Sequence, residues 1–359
     1  MSKKIIVGFL CLFFSLHAAE DVYFVVVAGG VGERLWPLSR RSLPKQFLSV
    51  DGNRSLLEMA LDRTDNIVSK GHKFVATTQS FEQMVKDRVG NQIEGVLVEP
   101  ALRNTGPAIC LAAYRIAQKN PDAVVVFLAA DHFIQPVAKF RDALGLAVHH
   151  AQENDEIVLL GIKPAWPATG YGYIKLGEKY LPRKVMNVLS FHEKPALEKA
   201  QEYLDSGVMV WNGSYFCAKA KVFLQEFTQH APDIMNGVEK FVTGKGAYED
   251  LPNIAVDVAV MEKSRRLKAV LLDTRWSDVG DLAIFLGFRN QFDKTDKIIS
   301  LNSDNNLAFS KSGKQIILLG VKDLCVVETD DAIVVSNQSS VNDIKNALGI
   351  LKIEQTSLL

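Results

Sequence analysis

The chain has 359 residues, 48% of them hydrophobic, which is enough to bury one large core and a smaller accessory domain. Its 41 basic and 41 acidic residues cancel, which excludes a protein that attracts nucleic acid or an anionic membrane through its overall field. Any anionic ligand must therefore be bound by a local cluster of groups, and we expect neither a nucleic-acid partner nor stable membrane association.

The N-terminus has the pattern of a secretory signal. Residues 1–20 begin with lysines, continue with an apolar run from Ile5 to Leu16, and end near the small residues Ala18 and Ala19. The run is short for a membrane span. The alternatives to export are a start codon assigned upstream of the true one and a leader that is never cleaved.

The cysteines are widely scattered, at Cys11, Cys110, Cys217 and Cys325. They form no CxxC motif and no Cys/His spacing of the kind that binds metals. We therefore predict reduced thiols in the core of a cytosolic-type protein.

Apolar runs alternate with amphipathic stretches, which predicts an α/β fold with a mixed, mostly parallel sheet covered by helices. Residues 123–131 read AVVVFLAAD, and this continuous hydrophobic run indicates a central strand buried on both faces. The first predicted strands are Val22–Ala28, Lys73–Thr77, Gly95–Val98, Ala123–Ala129 and Ile157–Gly161. The predicted helices between them are Ser55–Val68, Phe81–Val89 and Thr105–Gln118.

Beyond residue 161 the pattern changes to longer strands with polar ends, which indicates partly antiparallel pairing. Helices are predicted at Val222–His230 and near Asp278–Phe288, and a helix at Val341–Lys352 closes the chain. The short strands before that last helix could form one or two coils of a β-solenoid. The predicted organisation is a leader at 1–20, a main domain at 21–291, a polar linker and a small β domain at 298–359.

The segment VVVAGGVGERLWPLSRRSLPKQFL, residues 25–48, leaves a buried strand through glycines. It is not a dinucleotide motif G-x-G-x-x-G, because Leu35 stands at the third glycine, and it lacks the G-K-[ST] of a Walker loop. Glycines after a strand still let backbone N–H groups approach a phosphate, and nearby cations add to the attraction. The alternative is a structural turn with incidental surface charges. The groups that could bind an anion are Gly29, Gly30, Gly32, Arg34 and Lys45.

The stretch AGGVGERLWPLSRRSLPKQFL resembles the signature of nucleotidyltransferases that act on sugar 1-phosphates, specifically the mannose-1-phosphate guanylyltransferase family. Other motifs follow in the family's order and cover nearly all of residues 22–290: EPALRNTGPAICLAA, LAADHFI, TGYGYIK, FHEKP, WNGSYF, VDVAVMEKS and WSDVGD. The resemblance implies a Rossmann-like catalytic domain at 21–291. The terminal strands resemble the small β domain that follows it in this family, for which a short left-handed β-helix is the expected form.

The reaction that the resemblance implies is attack by mannose 1-phosphate on the α-phosphorus of GTP, giving GDP-mannose and pyrophosphate. Because a phosphate is already nucleophilic, the protein needs no nucleophile of its own and must align the reactants and neutralise charge. Mg²⁺ is the implied cofactor, with Asp131 and Asp278 as its carboxylate ligands. Asp131 also ends the most buried strand, where ligands of open α/β sheets bind. The alternative role for both is a turn or helix cap.

The resemblance also implies roles for the other candidate residues. The expected catalytic residues are Arg34, Lys45 and Asp131. The expected nucleotide-binding residues are Ala28, Gly29, Gly30, Gly32, Arg103, Asn104 and Thr105. The expected sugar-phosphate-binding residues are Gly172, Glu193, Lys194 and Asn212. From the residues alone, Thr105 is expected to cap the helix that follows it, and His132 to be a structural, hydrogen-bonded histidine.

Glu33 departs from the signature, because many family members have a small hydroxyl residue before the arginine. A carboxylate next to a triphosphate would be repelled unless it points outward or is engaged by Arg34 or Arg40. This departure puts in doubt any hydroxyl contact at that position, but not the role of Arg34.

Alternatives to the main hypothesis stay open. One is the same reaction with another sugar 1-phosphate or nucleobase, and another is a catalytically silent sugar-nucleotide sensor or regulatory subunit. The full set of charged residues argues against the sensor. No His/Glu cluster suited to zinc follows Asp296, so the isomerase activity of larger relatives is not expected. The need for GTP predicts a cytoplasmic protein, and a homodimer is left open.

Overall fold

The computed structural model describes residues 21–65, 67–177, 184–292 and 297–354. The predicted leader at 1–20 and most of the predicted linker lie outside these ranges. The strands are β1 Val22–Val27, β2 Lys73–Thr78, β3 Gly95–Glu99, β4 Val124–Ala129, β5 Phe133–Gln135, β6 Ile157–Ile162, β7 Tyr173–Leu176, β8 Val185–His192, β9 Met209–Lys219, β10 Leu267–Leu271, β11 Arg275–Ser277, β12 Ile298–Leu301, β13 Leu307–Ser310, β14 Ile316–Leu319, β15 Leu324–Glu328 and β16 Ile333–Asn337. The α-helices are α1 Leu56–Asp62, α2 Glu82–Val89, α3 Thr105–Ala117, α4 Val137–Glu153, α5 Leu197–Ser206, α6 Ala220–His230, α7 Pro232–Val242, α8 Leu282–Phe292 and α9 Ile344–Glu354.

A nine-stranded sheet forms the centre, in the order β3-β2-β1-β4-β9-β6-β10-β8-β7. Strand β1 pairs in parallel with β2 and β4, while β9 lies antiparallel between β4 and β6. Strand β8 is antiparallel to both of its neighbours, so only β8 and β9 run against the other strands of this sheet. The predicted mixed, mostly parallel sheet is therefore confirmed.

Helices cover both faces of the sheet because successive side chains of each strand point to opposite faces. Phe24 and Val26 of β1 pack with α1, α2 and α4, whereas Val25 packs with α3, α6 and α7. All three of these side chains are fully buried. This burial on both faces explains why β1 and β4 are continuous hydrophobic runs.

The boundaries of two predicted helices are corrected by the structure. Helix α1 ends at Asp62 rather than Val68, and its start is fixed by a capping box between Ser55 and Glu58. Helix α8 begins at Leu282 rather than near Asp278. Residues 278–281 instead form a loop after β11, which presents Asp278 to the interior of the site.

The last part of the chain is a small β domain followed by α9. Ile298 of β12 pairs in parallel with Ile316 of β14, and Leu307 of β13 with Cys325 of β15. Hydrogen bonds between the turns repeat the same spacing, since Asn305 Nδ2 donates to Asp323 Oδ1 at a sequence separation of 18 residues. A uniform separation between parallel strands is typical of repeat structures; the predicted small β domain is confirmed, and its solenoid coils stay a prediction.

Cys110, Cys217 and Cys325 are free thiols in the interior, as predicted, and Cys11 lies outside the described residues. Burial raises the pKa of each of these three thiols. Within the described ranges no helix combines the length and apolarity that crossing a membrane requires.

We predict that Gly106→Ala destabilises the protein. Gly106 lies in the first turn of α3, its N–H donates to the carbonyl of Ile254 at 3.0 Å, and a Cβ at this position would lie 2.6 Å from that oxygen. Because the obstacle is backbone, the free energy of unfolding in urea should fall by about 1–3 kcal/mol.

Gly145→Ala is the matched control. Gly145 lies inside α4 and a Cβ there would meet nothing within 4 Å. Alanine should therefore raise the free energy of unfolding by about 0.5–1 kcal/mol. Equal effects of the two substitutions would contradict the close approach at Gly106.

Candidate active site

The ammonium group of Lys45 joins two segments that are remote in sequence. Its Nζ lies 2.8 Å from Asp131 Oδ2, just beyond the carboxyl end of β4, and donates to the main-chain oxygen of Asp278 at 2.5 Å. The lysine side chain is only 11% exposed, so its charge needs these partners. The structure thus brings three of the predicted site residues together.

Gly32 makes the position of Lys45 possible. Its φ is +79°, and a Cβ there would lie 2.3 Å from the Cβ of Lys45. The N–H of Lys45 also donates to the carbonyl of Val31 at 3.0 Å, which closes the loop. Gly32 therefore makes room for the lysine, and the predicted contact of this glycine with a phosphate stays a prediction.

An open cleft of about 610 Å³ lies beside this lysine, at the carboxyl ends of the central strands. Two glycines of the predicted set line it, and around Gly30 a Cβ would meet nothing within 4 Å. The backbone polar groups of Ala28 are already satisfied, because its N–H donates to Ala76 and its carbonyl accepts from Thr77 Oγ1 and Gln46 Nε2. The residues that line the cleft include Gly29, Gly30, Glu99, Asn104, Thr105 and Asp131.

The N-terminus of α3 forms another wall of the cleft. Asn104 has φ 64° and its Oδ1 accepts from the N–H of Thr105 at 2.9 Å, so Asn104 caps the helix. The prediction that Thr105 is the cap is wrong, since its hydroxyl accepts from the N–H of Val256 at 3.0 Å. The guanidinium of Arg103 donates to the carbonyl of Glu249.

Asp131 is ionised and partly open to the cleft, with 36% of its side chain exposed. Burial alone would raise its pKa, but the charge of Lys45 outweighs burial and holds the pKa below the ordinary value. His132 is buried, and burial lowers its pKa to about 4. Its Nδ1 accepts from Trp276 Nε1 at 3.1 Å and lies 2.8 Å from the hydroxyl of Tyr215, so the neutral ring carries its proton on Nε2.

Asp278 is fixed through both its side chain and its backbone. Its Oδ1 accepts from the hydroxyl of Tyr171 at 2.9 Å, and burial followed by the charge of Asp278 raises the pKa of that tyrosine. The next residue, Val279, is fully buried and has φ 48°, an unusual conformation for a β-branched side chain. Strained backbone of this kind is typical of functional sites.

The two carboxylates are suited to Mg²⁺. Both Asp131 and Asp278 act electrostatically on His132, so both lie at the same site. Within the described ranges no group of three or more His, Cys, Asp or Glu residues could hold a metal. Two carboxylates are nevertheless sufficient for Mg²⁺ when phosphates and water supply the other ligands.

Arg34 lies in a single turn of 3-10 helix, Glu33–Leu35, and is exposed. Its charge lies near enough to Tyr171 to affect that hydroxyl group. The carboxylate of Glu33 pairs with α9, since Glu33 Oε1 lies 2.9 Å from Lys352 Nζ. The partner of Glu33 is thus Lys352 rather than Arg34 or Arg40, and Arg40 pairs with Asp331 at 2.8 Å.

The predicted sugar-phosphate residues form a second, adjoining group. A Cβ on Gly172 would lie 2.6 Å from Glu193 Oε2, so glycine is required for the position of that carboxylate. Glu193 Oε1 lies 2.9 Å from Lys194 Nζ, whose side chain is 60% exposed. Asn212 is buried, its Nδ2 donates to Asp257 Oδ1 at 2.8 Å, and its Oδ1 accepts from the N–H of Ser214 at 3.0 Å.

Two carboxylates of the cleft were missed from the sequence. Glu99 is the last residue of β3, its Oε2 accepts from the hydroxyl of Tyr248 at 2.7 Å, and burial raises its pKa to about 7. Burial and then the charge of Glu193 raise the pKa of Asp257 to about 7 as well. Both residues stand inside motifs, EPALRNTGPA and VDVAVMEKS, but nothing local marked these carboxylates as buried.

The sequence is similar to those of known nucleotidyl transferases. The nucleotidyl transferase family matches residues 23–294. A protein of Escherichia coli named mannose-1-phosphate guanylyltransferase is 35% identical over 363 residues, which cover 93% of this chain and 74% of that protein. The xanthan biosynthesis protein XanB of Xanthomonas campestris is 34% identical over 356 residues, which cover 93% of this chain and 74% of that protein.

Among solved structures, the chain is similar to one from Thermus thermophilus named mannose-1-phosphate geranyltransferase. The TM-score is 0.81 and the sequence identity 29%, over 92% of this chain and 99% of that one. This likeness extends beyond the family match of residues 23–294.

We predict that Asp257→Asn changes the pH dependence of stability. The folded-state pKa of about 7 lies above the ordinary value of 3.8. The folded protein therefore holds this proton more tightly than the unfolded chain, and the contribution to stability falls as pH rises from about 4 through 7. Asparagine cannot ionise and keeps an oxygen for Asn212, so the variant should gain stability relative to wild type as the pH rises from about 5 to about 8.

Thermal unfolding of both proteins across that pH range measures the difference. The melting temperature of the variant minus that of wild type should increase as the pH rises. A constant difference would mean that Asp257 does not titrate in this range.

Proposed function

The chain belongs to the nucleotidyl transferase family, and from this premise we propose that it transfers GMP from GTP to α-D-mannose 1-phosphate, giving GDP-mannose and pyrophosphate. The observation that carries the proposal is the buried Lys45, which contacts Asp131 and the backbone of Asp278 beside an open cleft. The names of the relatives support the sugar and the base. The family membership makes a nucleoside triphosphate and a sugar 1-phosphate the substrate classes.

The chemistry needs charge placement rather than a protein nucleophile. A phosphate oxygen of the sugar substrate forms a bond to the α-phosphorus, the bond from that phosphorus to the bridging oxygen breaks, and pyrophosphate leaves with the electron pair. Arg34 and Lys45 would stabilise the negative charge that develops on these oxygens. Backbone N–H groups of Gly29 and Gly30 would meet the phosphates at the mouth of the cleft.

We assign Asp131 and Asp278 as the residues that would hold Mg²⁺. When bound, the ion would neutralise phosphate charge and orient the reactants. Asp131 is already ionised and partly open to the cleft, and Tyr171 fixes the carboxylate of Asp278. His132 would stay neutral and hold Nε2–H near Asp131, at 4.0 Å from its Oδ1.

Glu99 is the residue we propose for recognition of guanine. One carboxylate oxygen is held by Tyr248, and the other lies 4.0 Å from the Cβ position of Gly29, which lines the same cleft. The Watson–Crick edge of guanine presents two adjacent N–H donors, and a carboxylate is the side chain that accepts from both. This match favours guanine over adenine, cytosine and uracil.

The sugar phosphate would bind beside the cleft, near Glu193, Lys194 and Asn212. Asp257 connects this region to the cleft, because it lines the cleft and accepts a hydrogen bond from Asn212. Lys194 is exposed enough to reach a phosphate, and Glu193 can accept hydrogen bonds from sugar hydroxyls. Gly172 makes room for Glu193. Another sugar or base, or a silent regulator, is the alternative that a substrate matrix tests directly.

We place the protein in the cytoplasm, where GTP is available. We also propose that residues 298–328 form a short left-handed β-helix. The uniform separation of 18 residues between successive turns supports a β-helix, and the left hand is what the family resemblance implies. A crystal structure with the opposite hand would contradict that assignment.

Asp131→Asn should abolish most turnover. The rate of pyrophosphate release from GTP and mannose 1-phosphate with Mg²⁺ should fall by at least about a hundredfold. The substitution removes the charge of a residue that is both a ligand of the proposed ion and the partner of Lys45. Asp273→Asn, at an exposed surface ion pair with Lys139, is the control and should leave the rate unchanged. An unchanged rate in Asp131→Asn would refute the metal assignment.

Glu99→Gln should weaken discrimination between GTP and ITP, which lacks the 2-amino group. At about pH 8, above the Glu99 pKa of about 7, the carboxylate is mostly ionised, and hydrogen bonds to a charged acceptor are strong. In wild type kcat/KM for GTP should then exceed that for ITP by about tenfold or more. In the variant the ratio should fall towards one. A ratio unaffected by the substitution would exclude contact between Glu99 and the 2-amino group.

A further inference from the structure

Two ion pairs connect the signature segment, residues 28–48, to the C-terminal part of the chain. Glu33 Oε1 lies 2.9 Å from Lys352 Nζ on α9, and Arg40 Nη2 lies 2.8 Å from Asp331 Oδ1. The paired residues are 319 and 291 positions apart in sequence. A loop of the proposed active site is therefore attached to an element outside the catalytic domain.

Apolar packing reinforces the attachment. Trp36 is 8% exposed and packs with Ile344 and Leu348 of α9. The guanidinium of Arg40 lies 4.6 Å from the centre of the Trp36 ring and adds a cation–π contact. Leu35 is buried in a cluster that also contains Val327 of β15.

Arg34 stands between these anchors. Glu33 on one side is bound to Lys352, and Leu35 on the other is 1% exposed, while the side chain of Arg34 itself is exposed. The backbone is thus held on both sides and the guanidinium stays accessible. The neighbouring carboxylate of Glu33 would otherwise compete with a phosphate for this arginine.

We propose that Lys352 is a positioning residue that keeps Glu33 away from Arg34 and cancels its charge beside the triphosphate. This role rests on the proposed function, in which Arg34 contacts the phosphates of GTP. It also accounts for the carboxylate that departs from the family signature, because the departure is compensated by a cation on α9. The expected effect is on nucleotide binding, since the sugar-phosphate residues lie elsewhere in the site.

Lys352→Met, which keeps most of the apolar stem, tests the proposal. KM for GTP should rise about two- to fivefold, the range expected of an exposed ion pair, and the rise should shrink in high salt. KM for mannose 1-phosphate and kcat should change little. Lys352→Arg should restore the KM for GTP, and Lys345→Met, at an exposed lysine of the same helix, should have no effect.

A double variant separates charge compensation from simple docking of α9. If Lys352 acts by neutralising Glu33, then Lys352→Met should have no further effect in a Glu33→Gln background. An undiminished effect in that background would overturn the proposal, and so would an equal effect of Lys345→Met. A fall in kcat together with a rise in KM for both substrates would likewise indicate a merely structural role.

Hydrogen exchange distinguishes failure of this inference from failure of the proposed function. If wild type releases pyrophosphate with no combination of nucleotide and sugar phosphate, the proposed function is wrong. Amide exchange of residues 33–36 then tests the positioning role by itself. Faster exchange in Lys352→Met than in Lys345→Met supports that role, and identical exchange in the two overturns it.

Discussion

The ammonium group of Lys45 is a buried charge, and the geometry of the site follows from how that charge is satisfied. Asp131 supplies a carboxylate from the end of β4, and Asp278 supplies a main-chain oxygen from the loop after β11. A cation so enclosed must be paired, since an uncompensated buried charge is strongly destabilising. The signature loop and both predicted metal ligands are therefore held in one place before any substrate binds.

The sheet explains why these segments meet. Strands β1 and β4 are parallel neighbours, so the chain leaves both at the same edge, and the signature loop and Asp131 emerge side by side. The antiparallel β9 then brings Asn212 to the adjoining region, where Asp257 orients its amide. The order of strands thus sets the proposed nucleotide-binding groups next to the proposed sugar-phosphate-binding groups.

The sequence was sufficient where a local pattern determines the structure. The hydrophobic runs of β1 and β4 and the mixed sheet were predicted because burial on both faces leaves an unambiguous composition. Helix α4 was missed although Phe140, Leu144 and Val148 have helical spacing, so the signal was present in the sequence and overlooked.

Other features depend on contacts that no local pattern contains. Asn104 rather than Thr105 caps α3, because the hydroxyl of Thr105 is engaged by the distant Val256. The raised pKa values of Glu99 and Asp257 arise from burial in the folded chain. The partner of Glu33 lies on α9, at a sequence separation of 319 residues, and could be identified only from the fold.

The contact between Gly32 and Lys45 has a consequence for how this loop can vary. With a left-handed φ and no space for a Cβ, position 32 is coupled to the backbone path that delivers the ammonium to its two oxygen partners. A side chain at position 32 would displace the lysine even if residue 45 were unchanged. Positions 32 and 45 can therefore change only together. The glycine contributes to the electrostatics of the site without carrying a charge, because it determines where the ammonium group lies.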